Sequence, residues 1–269
     1  MMPHARRYLW IGGVTIGLVV AGAGVLAWPV TTRQGISYHV SRHQIPLGLK
    51  WLAFLHRDAE YRHLVRTLVE PGADREATTL RLFEWTREHI RSVPEGFPII
   101  DDHVWDIIVR GYGTQDQAAD VFATLCAYAG IPARFRFLYV PGTRASLGVA
   151  LVQLPQGGWG LFEPRHNILV RGADGRLASL EEMRRDRTLI ERAVPDRMFS
   201  GYPLARYFEE LPTLADQEVS KADQQMPWRR LAAAFTPPLR AGFTSWLRRR
   251  HDSATIERHS HDAALTPQR

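Results

Sequence analysis

The chain has 269 residues, of which 45% are hydrophobic and 23% are charged, and its net charge is +6. This composition allows a packed core and excludes a wholly disordered chain. A single cysteine, Cys126, excludes an intramolecular disulfide and a cysteine-rich zinc site. The positive charge favours anionic surfaces, but neither a zinc-finger spacing nor an RNA-binding aromatic-glycine signature is present, so no nucleic-acid partner is predicted.

The N-terminus contains an uncharged apolar stretch over residues 8–30, directly after Arg6 and Arg7. As a helix, a run of this length spans a hydrocarbon core of roughly 30 Å. A cleaved signal peptide is the alternative, but the run exceeds the roughly 7–15 apolar residues of a signal-peptide core. Residues 1–30 are therefore predicted to be a retained single-pass anchor. The slight excess of basic residues before the run predicts a cytoplasmic N-terminus and a periplasmic or extracytoplasmic body.

Residues 31–75 are predicted to be a helical juxtamembrane segment that ends at Pro71 and Gly72. Its apolar face is formed by Leu47, Leu49, Trp51, Leu52 and Leu55. Asp74 is a candidate N-cap for the next helix, in which apolar residues recur at three- and four-residue spacing up to Ile90. A short helix is predicted over residues 104–109.

The best-defined helix is predicted to begin at Gln115, because Thr114 and Gln117 form a capping-box pattern. Asp116 lies in its first turn, where a carboxylate complements the helix dipole. One stripe of the helix is apolar and includes Cys126, which is predicted to be a core residue. Gly130 is a natural stop for this helix.

Three strands are predicted after this helix, over residues 134–140, 147–154 and 159–162, separated by short Pro-Gly and Gly-Gly turns. Short turns imply an antiparallel meander, and one face of it can cover the apolar stripe of the helix. The fold class is therefore α+β, and a further hairpin turn is predicted at residues 173–176.

The predicted organisation after the anchor and the juxtamembrane segment has three parts. Residues 76–170 form the core domain, and residues 171–225 form an accessory segment of helical pieces. Residues 226–269 contain a basic amphipathic helix followed by a disordered tail. That helix could lie on an anionic membrane surface or could pack on the domain with its arginines in solvent, and both readings stay open.

The segment over residues 111–134, which ends in Gly-Ile-Pro-Ala-Arg, resembles the transglutaminase-like superfamily of papain-like fold. The later pieces Gly158-Trp159 and Phe162-Glu163-Pro164 are similar to that family's pattern as well. The resemblance implies a cysteine nucleophile at the start of the helix, a histidine base on the following strand and an acidic residue that orients the base.

The sequence departs from that pattern at two of the three catalytic positions. Counting back from Gly130 places the nucleophile at Gln115, whose neutral amide is not a nucleophile. Counting back from Trp159 places the base at Leu147, or at Ser146 if the strand register shifts by one. Only the acidic position is preserved in kind, as Glu163. The resemblance therefore predicts a transglutaminase-like domain that has lost its catalytic triad.

Other residues near these positions could supply a different chemistry. The candidate pocket comprises Gln115, Asp116, His103, Ser146, Glu163 and His166. With Asp101 and Asp102, the two histidines and Glu163 could form a site for acid-base or metal-assisted chemistry. Residual thiol chemistry at Cys126 is a third possibility.

The missing cysteine and histidine and the predicted anchor favour a catalytically inactive, membrane-anchored protein with a binding or scaffolding role. The resemblance to the transglutaminase-like superfamily implies, by analogy, that this role is at the bacterial cell envelope, in a process such as surface-polysaccharide assembly. The predicted partners are the membrane, other envelope proteins and a peptide or glycan ligand. No cofactor and no metal are predicted. The alternative is a hydrolase or transferase that uses His103, His166 and Glu163.

Overall fold

The structure is a computed structural model that describes residues 4–37, 39–101, 103–194, 196–213 and 225–230. In chain order, its N-terminal elements are α1 (His4–Ala27), β1 (Pro29–Ile36), β2 (His39–Pro46), α2 (Leu47–Leu68), α3 (Arg75–His89), β3 (Arg91–Ser92), β4 (Ile100–Asp101), α4 (Val104–Arg110) and β5 (Tyr112–Gly113). The remaining elements are α5 (Gln115–Tyr128), β6 (Ala133–Tyr139), β7 (Ser146–Gln153), β8 (Trp159–Glu163), β9 (Ile168–Leu169), α6 (Leu180–Arg185), α7 (Thr188–Ala193), β10 (Met198–Phe199), β11 (Tyr202–Pro203) and a 3₁₀ helix (Leu204–Phe208).

Helix α5 lies at the centre of the fold and has the boundaries that the sequence predicts. The backbone N–H of Thr114 donates to the side-chain Oε1 of Gln117 at 3.0 Å, as expected for a capping box. At the other end Gly130 adopts a left-handed φ of 79°, and the N–H of Ile131 returns to the carbonyl of Cys126 at 2.9 Å. Nearly the whole helix is buried, because α2, α3 and α4 cover the sides that the sheet does not.

The sheet against α5 is an antiparallel meander with the strand order β6-β7-β8-β9. The three predicted strands are confirmed, and β9 adds a short fourth strand. Strand β7 is almost continuously buried because both faces of the sheet are covered. Ala150 and Val152 point into the core beneath α5, whereas Leu147, Val149 and Leu151 point into a second core.

The second core lies between the far face of the sheet and the C-terminal elements α6, α7 and the 3₁₀ helix. These elements occupy the accessory segment predicted to contain helical pieces. The predicted hairpin turn at residues 173–176 is also present, since the N–H of Gly172 donates to the carbonyl of Arg176 at 2.8 Å. Both cores share β7, so this strand fixes the position of α5 relative to the C-terminal part.

The helix predicted over residues 31–75 is wrong in its first part, because residues 29–46 form the β1–β2 hairpin instead. β-Branched residues such as Val30, Thr31 and Thr32 favour an extended chain, and Ser37 turns it with a positive φ of 44°. Helix α2 begins only at Leu47, after Pro46. The crowded apolar residues that prompted the helical prediction all lie at or beyond residue 47.

Two predictions concern the ends of the chain. Within the part of the chain that the structure describes, no helix has the length and the apolar run that a membrane span requires. The anchor over residues 1–30 therefore stays a prediction. The basic amphipathic helix and tail predicted over residues 226–269 lie outside the described residues beyond Arg230.

Candidate functional site

Gln115 occupies the first position of α5 and holds this helix end against strand β7. Its Oε1 accepts from the backbone N–H of Gly148 at 2.9 Å, and its Nε2 donates to the carbonyl of Gly148 at 2.5 Å. The same Nε2 donates to Oε1 of Glu163 at 2.7 Å. The carboxamide thus satisfies both backbone groups of one strand residue and also contacts a carboxylate. A side chain fixed at three points positions the helix and is not poised for chemistry.

Glu163 ends strand β8, and its side chain is fully buried with a relative exposure of 0%. Besides Gln115, its Oε1 accepts from the backbone N–H of Arg165 at 3.0 Å. Its Oε2 accepts from the backbone N–H of His166 at 2.6 Å and lies 2.8 Å from the imidazole Nδ1 of the same residue. Four contacts within the protein therefore replace the water that burial removes from this carboxylate.

His166 is brought to Glu163 by the turn that follows β8. With Glu163 ionised, Nδ1 donates to the carboxylate, and Nε2 of the neutral ring is left as an acceptor. The ring is largely buried and meets Phe199 edge to face, with the ring centroids 5.2 Å apart. The carboxylate fixes the tautomer of the imidazole, as it would in an acid-base pair.

Arg165 connects this turn to the opposite side of the site. Its Nη2 donates to the carbonyls of Arg91 at 2.7 Å and Gly113 at 2.9 Å. Burial lowers the pKa of the guanidinium, and the negative charge of Glu163 opposes that shift. Arg165 therefore holds the β3–β5 strand pair against the β8 turn and supplies a positive charge near the buried Glu163.

The residue of β7 that contacts Gln115 is Gly148, and Leu147, at the position predicted for the base, points away from Gln115. Leu147 is fully buried in the second core, on the far face of the sheet. Side chains alternate along a strand, so Ser146 shares the face of Gly148 and lies half-buried at the start of β7. The residue of β7 that contacts Gln115 therefore has no side chain.

The space at Gly148 is too small for any side chain. A Cβ built on this residue would lie 2.7 Å from both Cα and Cβ of Asp116 and 3.1 Å from Cε2 of Phe135. The Cα of Asp116 belongs to the helix backbone and cannot rotate away. Helix α5 therefore lies directly on strand β7 at Gly148. A glycine inside an apolar strand is the sequence signal for such close backbone approach.

The other predicted pocket residues are only partly brought together. Asp116 accepts from the hydroxyl of Thr114 at 2.5 Å, next to Gly148. His103 is exposed and precedes α4, and the contacts of Glu163 within the described residues do not include it. Asp102 lies outside the described residues. Among the described residues, no group of three histidine, cysteine or carboxylate side chains is suited to hold a metal ion.

Cys126 lies on the buried side of α5, in the core shared with the sheet. Its side chain is fully buried, and burial raises the pKa of the thiol well above its ordinary value. A buried protonated thiol is a poor nucleophile. The prediction of a core cysteine agrees with this position, and the thiol does not reach the Gln115 end of the helix.

An aromatic stripe, formed by Phe135, Phe137 and Tyr139 on the edge strand β6, begins beside Gly148. The ring centroids of Phe135 and Phe137 are 4.9 Å apart, and those of Phe137 and Tyr139 are 6.3 Å apart. Phe137 pairs with Gly148 across the ladder and is 37% exposed, and Tyr139 is 49% exposed. Sequence analysis did not identify this surface, although the alternation of residues 135–139 contains its signal.

Comparison with known proteins identifies the core of the fold. The model of the transglutaminase-like superfamily matches residues 62–164, which contain α3, α4, α5 and strands β6 to β8. A solved structure of a candidate cysteine protease from Cytophaga hutchinsonii is 14% identical, with a TM-score of 0.35. The match covers 45% of this chain and 40% of that one. No curated protein matches the chain. The match supports the resemblance of residues 62–164 to the transglutaminase-like superfamily.

Proposed function

We propose that this transglutaminase-like domain acts by binding and not by thiol-dependent acyl transfer. The observation that carries the proposal is the carboxamide of Gln115, which is hydrogen-bonded to both backbone groups of Gly148 and to Glu163. The nucleophile position is thus filled by an amide, and that amide closes the gap in which nucleophile and base would meet. Fold membership alone would not decide this point, because one fold carries many functions.

The close approach of α5 to β7 supports the same conclusion independently. A histidine at residue 148 would overlap the backbone of Asp116, so restoring the base requires a displacement of the helix. The acidic residue has also changed its role, since all of its contacts are to Gln115 and to its own turn. Replacing one residue would not restore the triad.

The aromatic stripe is the surface on which we place the ligand. Partly exposed aromatic rings beside a few fixed polar groups are typical of binding sites for peptides and glycans. With the anchor predicted over residues 1–30, the protein is proposed to act as a membrane-anchored scaffold at the bacterial cell envelope. In this proposal the domain takes part in surface-polysaccharide assembly and binds a peptide or glycan there.

Replacing Gln115 with cysteine tests whether the domain retains thiol chemistry. The new thiol begins a helix, where the dipole favours the thiolate, so we expect it to react with iodoacetamide in the folded protein. Cys126 is expected to react only after unfolding in urea, because it is fully buried. We expect no hydrolysis or acyl transfer on glutamine-containing peptides, since no base stands opposite. Peptide mapping by mass spectrometry distinguishes the two cysteines.

The wild-type protein and Cys126→Ala serve as controls for that experiment. Circular dichroism first establishes that both are folded. Acyl transfer by the wild type that is lost in Cys126→Ala would show that the domain uses a thiol after all, and the binding proposal would be wrong.

The double substitution Phe137→Ala and Tyr139→Ala tests the aromatic stripe. We expect it to weaken ligand binding at least about tenfold, because truncating exposed anchor aromatics typically costs more than about 1 kcal/mol. The measurement is calorimetric titration with a panel of peptides and cell-envelope oligosaccharides. Val109→Ala, which changes an even more exposed apolar residue on α4, is the control. Equal affinities for wild type and the double variant would exclude the stripe as the binding surface.

A second candidate function rests on the contact between His166 and Glu163. A carboxylate that fixes Nδ1 leaves Nε2 able to take a proton, which is the arrangement of a general base. Substituting His166 with alanine separates the two functions. If the protein is a hydrolase or transferase, His166→Ala is expected to abolish turnover although the aromatic stripe still binds the ligand. A binding domain would keep its affinity within about threefold, a free-energy change below about 1 kcal/mol.

A further inference from the structure

The N-terminal part of the chain, residues 1–57, contains basic but no acidic residues. Residues 1–57 contain six lysines and arginines and neither an aspartate nor a glutamate, although the chain has 28 acidic residues. The first acidic residue is Asp58, in the middle of α2. Such a run of basic residues without acids produces a positive potential that no charge on the same segment neutralises.

Two of these basic residues lie directly opposite each other on the β1–β2 hairpin. Arg33 pairs with Arg42 across the antiparallel ladder, and both side chains are exposed. Like charges at facing positions of a ladder repel each other. Neither arginine forms an ion pair with a carboxylate of the described residues. An anionic partner outside the chain would relieve this repulsion.

An apolar surface lies next to the hairpin. The described side chains of α1, from residue 14 onward, are all exposed and uncharged, and Trp28 follows them at 66% exposure. Backbone and side-chain atoms of Leu26 lie within 3.6 Å of the Cβ position of Gly48, so the end of α1 lies against the start of α2. The apolar surface continues there with four exposed residues, Leu49, Trp51, Leu52 and Leu55.

This combination identifies the chemistry of the partner. A contiguous exposed apolar surface marks a contact with a protein or a membrane. Here it contains two tryptophans, which favour the boundary between hydrocarbon and water, and arginines suited to phosphate groups border it. Lys50 lies between these regions, and its Nζ donates to the carbonyl of Thr31 at 2.9 Å, which ties α2 to the hairpin.

We propose that the N-terminal surface, defined by Trp28, Arg33, Arg42, Trp51 and Leu52, docks on an anionic phospholipid bilayer. The tryptophans and Leu52 enter the boundary of the hydrocarbon layer, while the two arginines bind lipid phosphates. This contact is separate from the Gln115 site and does not depend on whether that site binds a ligand. It also does not require α1 to cross the bilayer.

The contact would orient the domain on the membrane through α2. Helix α2 buries Phe54 in its first half, and its second half packs into the core with Tyr61 and Val65. There the hydroxyl of Tyr128, the last residue of α5, donates to Oδ1 of Asp58 at 2.9 Å. One helix therefore carries both the exposed surface and the contacts to α5, so docking would fix the orientation of α5 relative to the bilayer.

The test places a polarity-sensitive fluorophore on the full chain carrying Leu52→Cys. Selective labelling is possible because the native Cys126 is fully buried. The labelled protein is reconstituted with vesicles of phosphatidylcholine, with and without phosphatidylglycerol. We expect a blue shift of the emission in the anionic vesicles. The same fluorophore at Asp174→Cys, in an exposed turn of the C-terminal part, is expected to remain in water.

The double substitution Arg33→Ser and Arg42→Ser, made on the Leu52→Cys background, tests the arginines. It is expected to raise the lipid concentration at half-maximal shift about tenfold or more. The matched control is Arg171→Ser with Arg176→Ser, which removes the same charge from an exposed turn and is expected to have no effect. A shift that appears without vesicles would assign the surface to a second protein molecule and overturn the proposal. No shift in either lipid, or an unchanged shift after loss of Arg33 and Arg42, would overturn it as well.

Discussion

Replacing Glu163 with alanine is expected to lower the free energy of unfolding by about 3–5 kcal/mol, the range for removing one partner of a buried charged network. The substitution leaves the backbone N–H groups of Arg165 and His166, Nδ1 of His166 and Nε2 of Gln115 without their acceptor. It also leaves the half-buried Arg165 without its nearby negative charge. Urea denaturation followed by circular dichroism measures the change.

Glu181→Ala is the matched control for this experiment. Glu181 has the same carboxylate, but its side chain is 54% exposed and pairs with Arg184 on the surface. Its loss is expected to change stability by less than about 1 kcal/mol. A similarly small effect for Glu163→Ala would show that the buried carboxylate does not hold the site together. The acid-base function of Glu163 and His166 would then be favoured over the binding function.

Gly148→Ala is expected to destabilise the domain by about 1–3 kcal/mol, the range for overpacking a core. The added methyl group would lie 2.7 Å from the Cα of Asp116, so α5 or β7 must move. That movement lengthens the two backbone hydrogen bonds of Gln115, which hold the helix end against the strand. The measurement is again chemical denaturation, with hydrogen exchange at the Gly148 amide as a local readout.

Ser146→Ala tests whether the effect is specific to residue 148. Ser146 lies two residues earlier on the same face of β7 and is only half-buried. It is expected to tolerate the change within about 0.5 kcal/mol, as surface substitutions usually do. If Gly148→Ala were equally neutral, α5 could move away from the strand at little cost. A gap for a catalytic base could then open, and the proposal that the closed site excludes catalysis would be wrong.

Glu163→Ala and Gly148→Ala both test the contacts that hold Gln115 in place. Glu163 holds Gln115 from the end of β8, and Gly148 holds it from the middle of β7. Under the binding function proposed above, an amide stands at the nucleophile position and the strand residue that faces it has no side chain. Because the helix lies directly on the strand, a thiol alone would not supply a base, and we therefore expect Gln115→Cys to yield a reactive thiol without turnover.

Local signals in the sequence determined the central helix and the meander. The capping pattern of Thr114 and Gln117 and the stop at Gly130 specify the ends of α5 through contacts within a few residues. Short turns and alternating residues likewise specify the three strands. The sequence also shows that α5 does not begin with a cysteine, because counting back from Gly130 places Gln115 at the first position of the helix.

Only the tertiary structure decided which residue faces Gln115. A register shift of one residue moves every side chain of a strand to the other face, and β7 is buried on both faces, so its apolar residues give no indication of which face is which. The pairing of Phe137 with Gly148 settles the register and removes Leu147 from the site. The sequence shows that Gln115 and Leu147 stand where the family resemblance places a cysteine and a histidine. The close contact between α5 and β7 at Gly148 is a property of the packed fold and could not be predicted from the sequence.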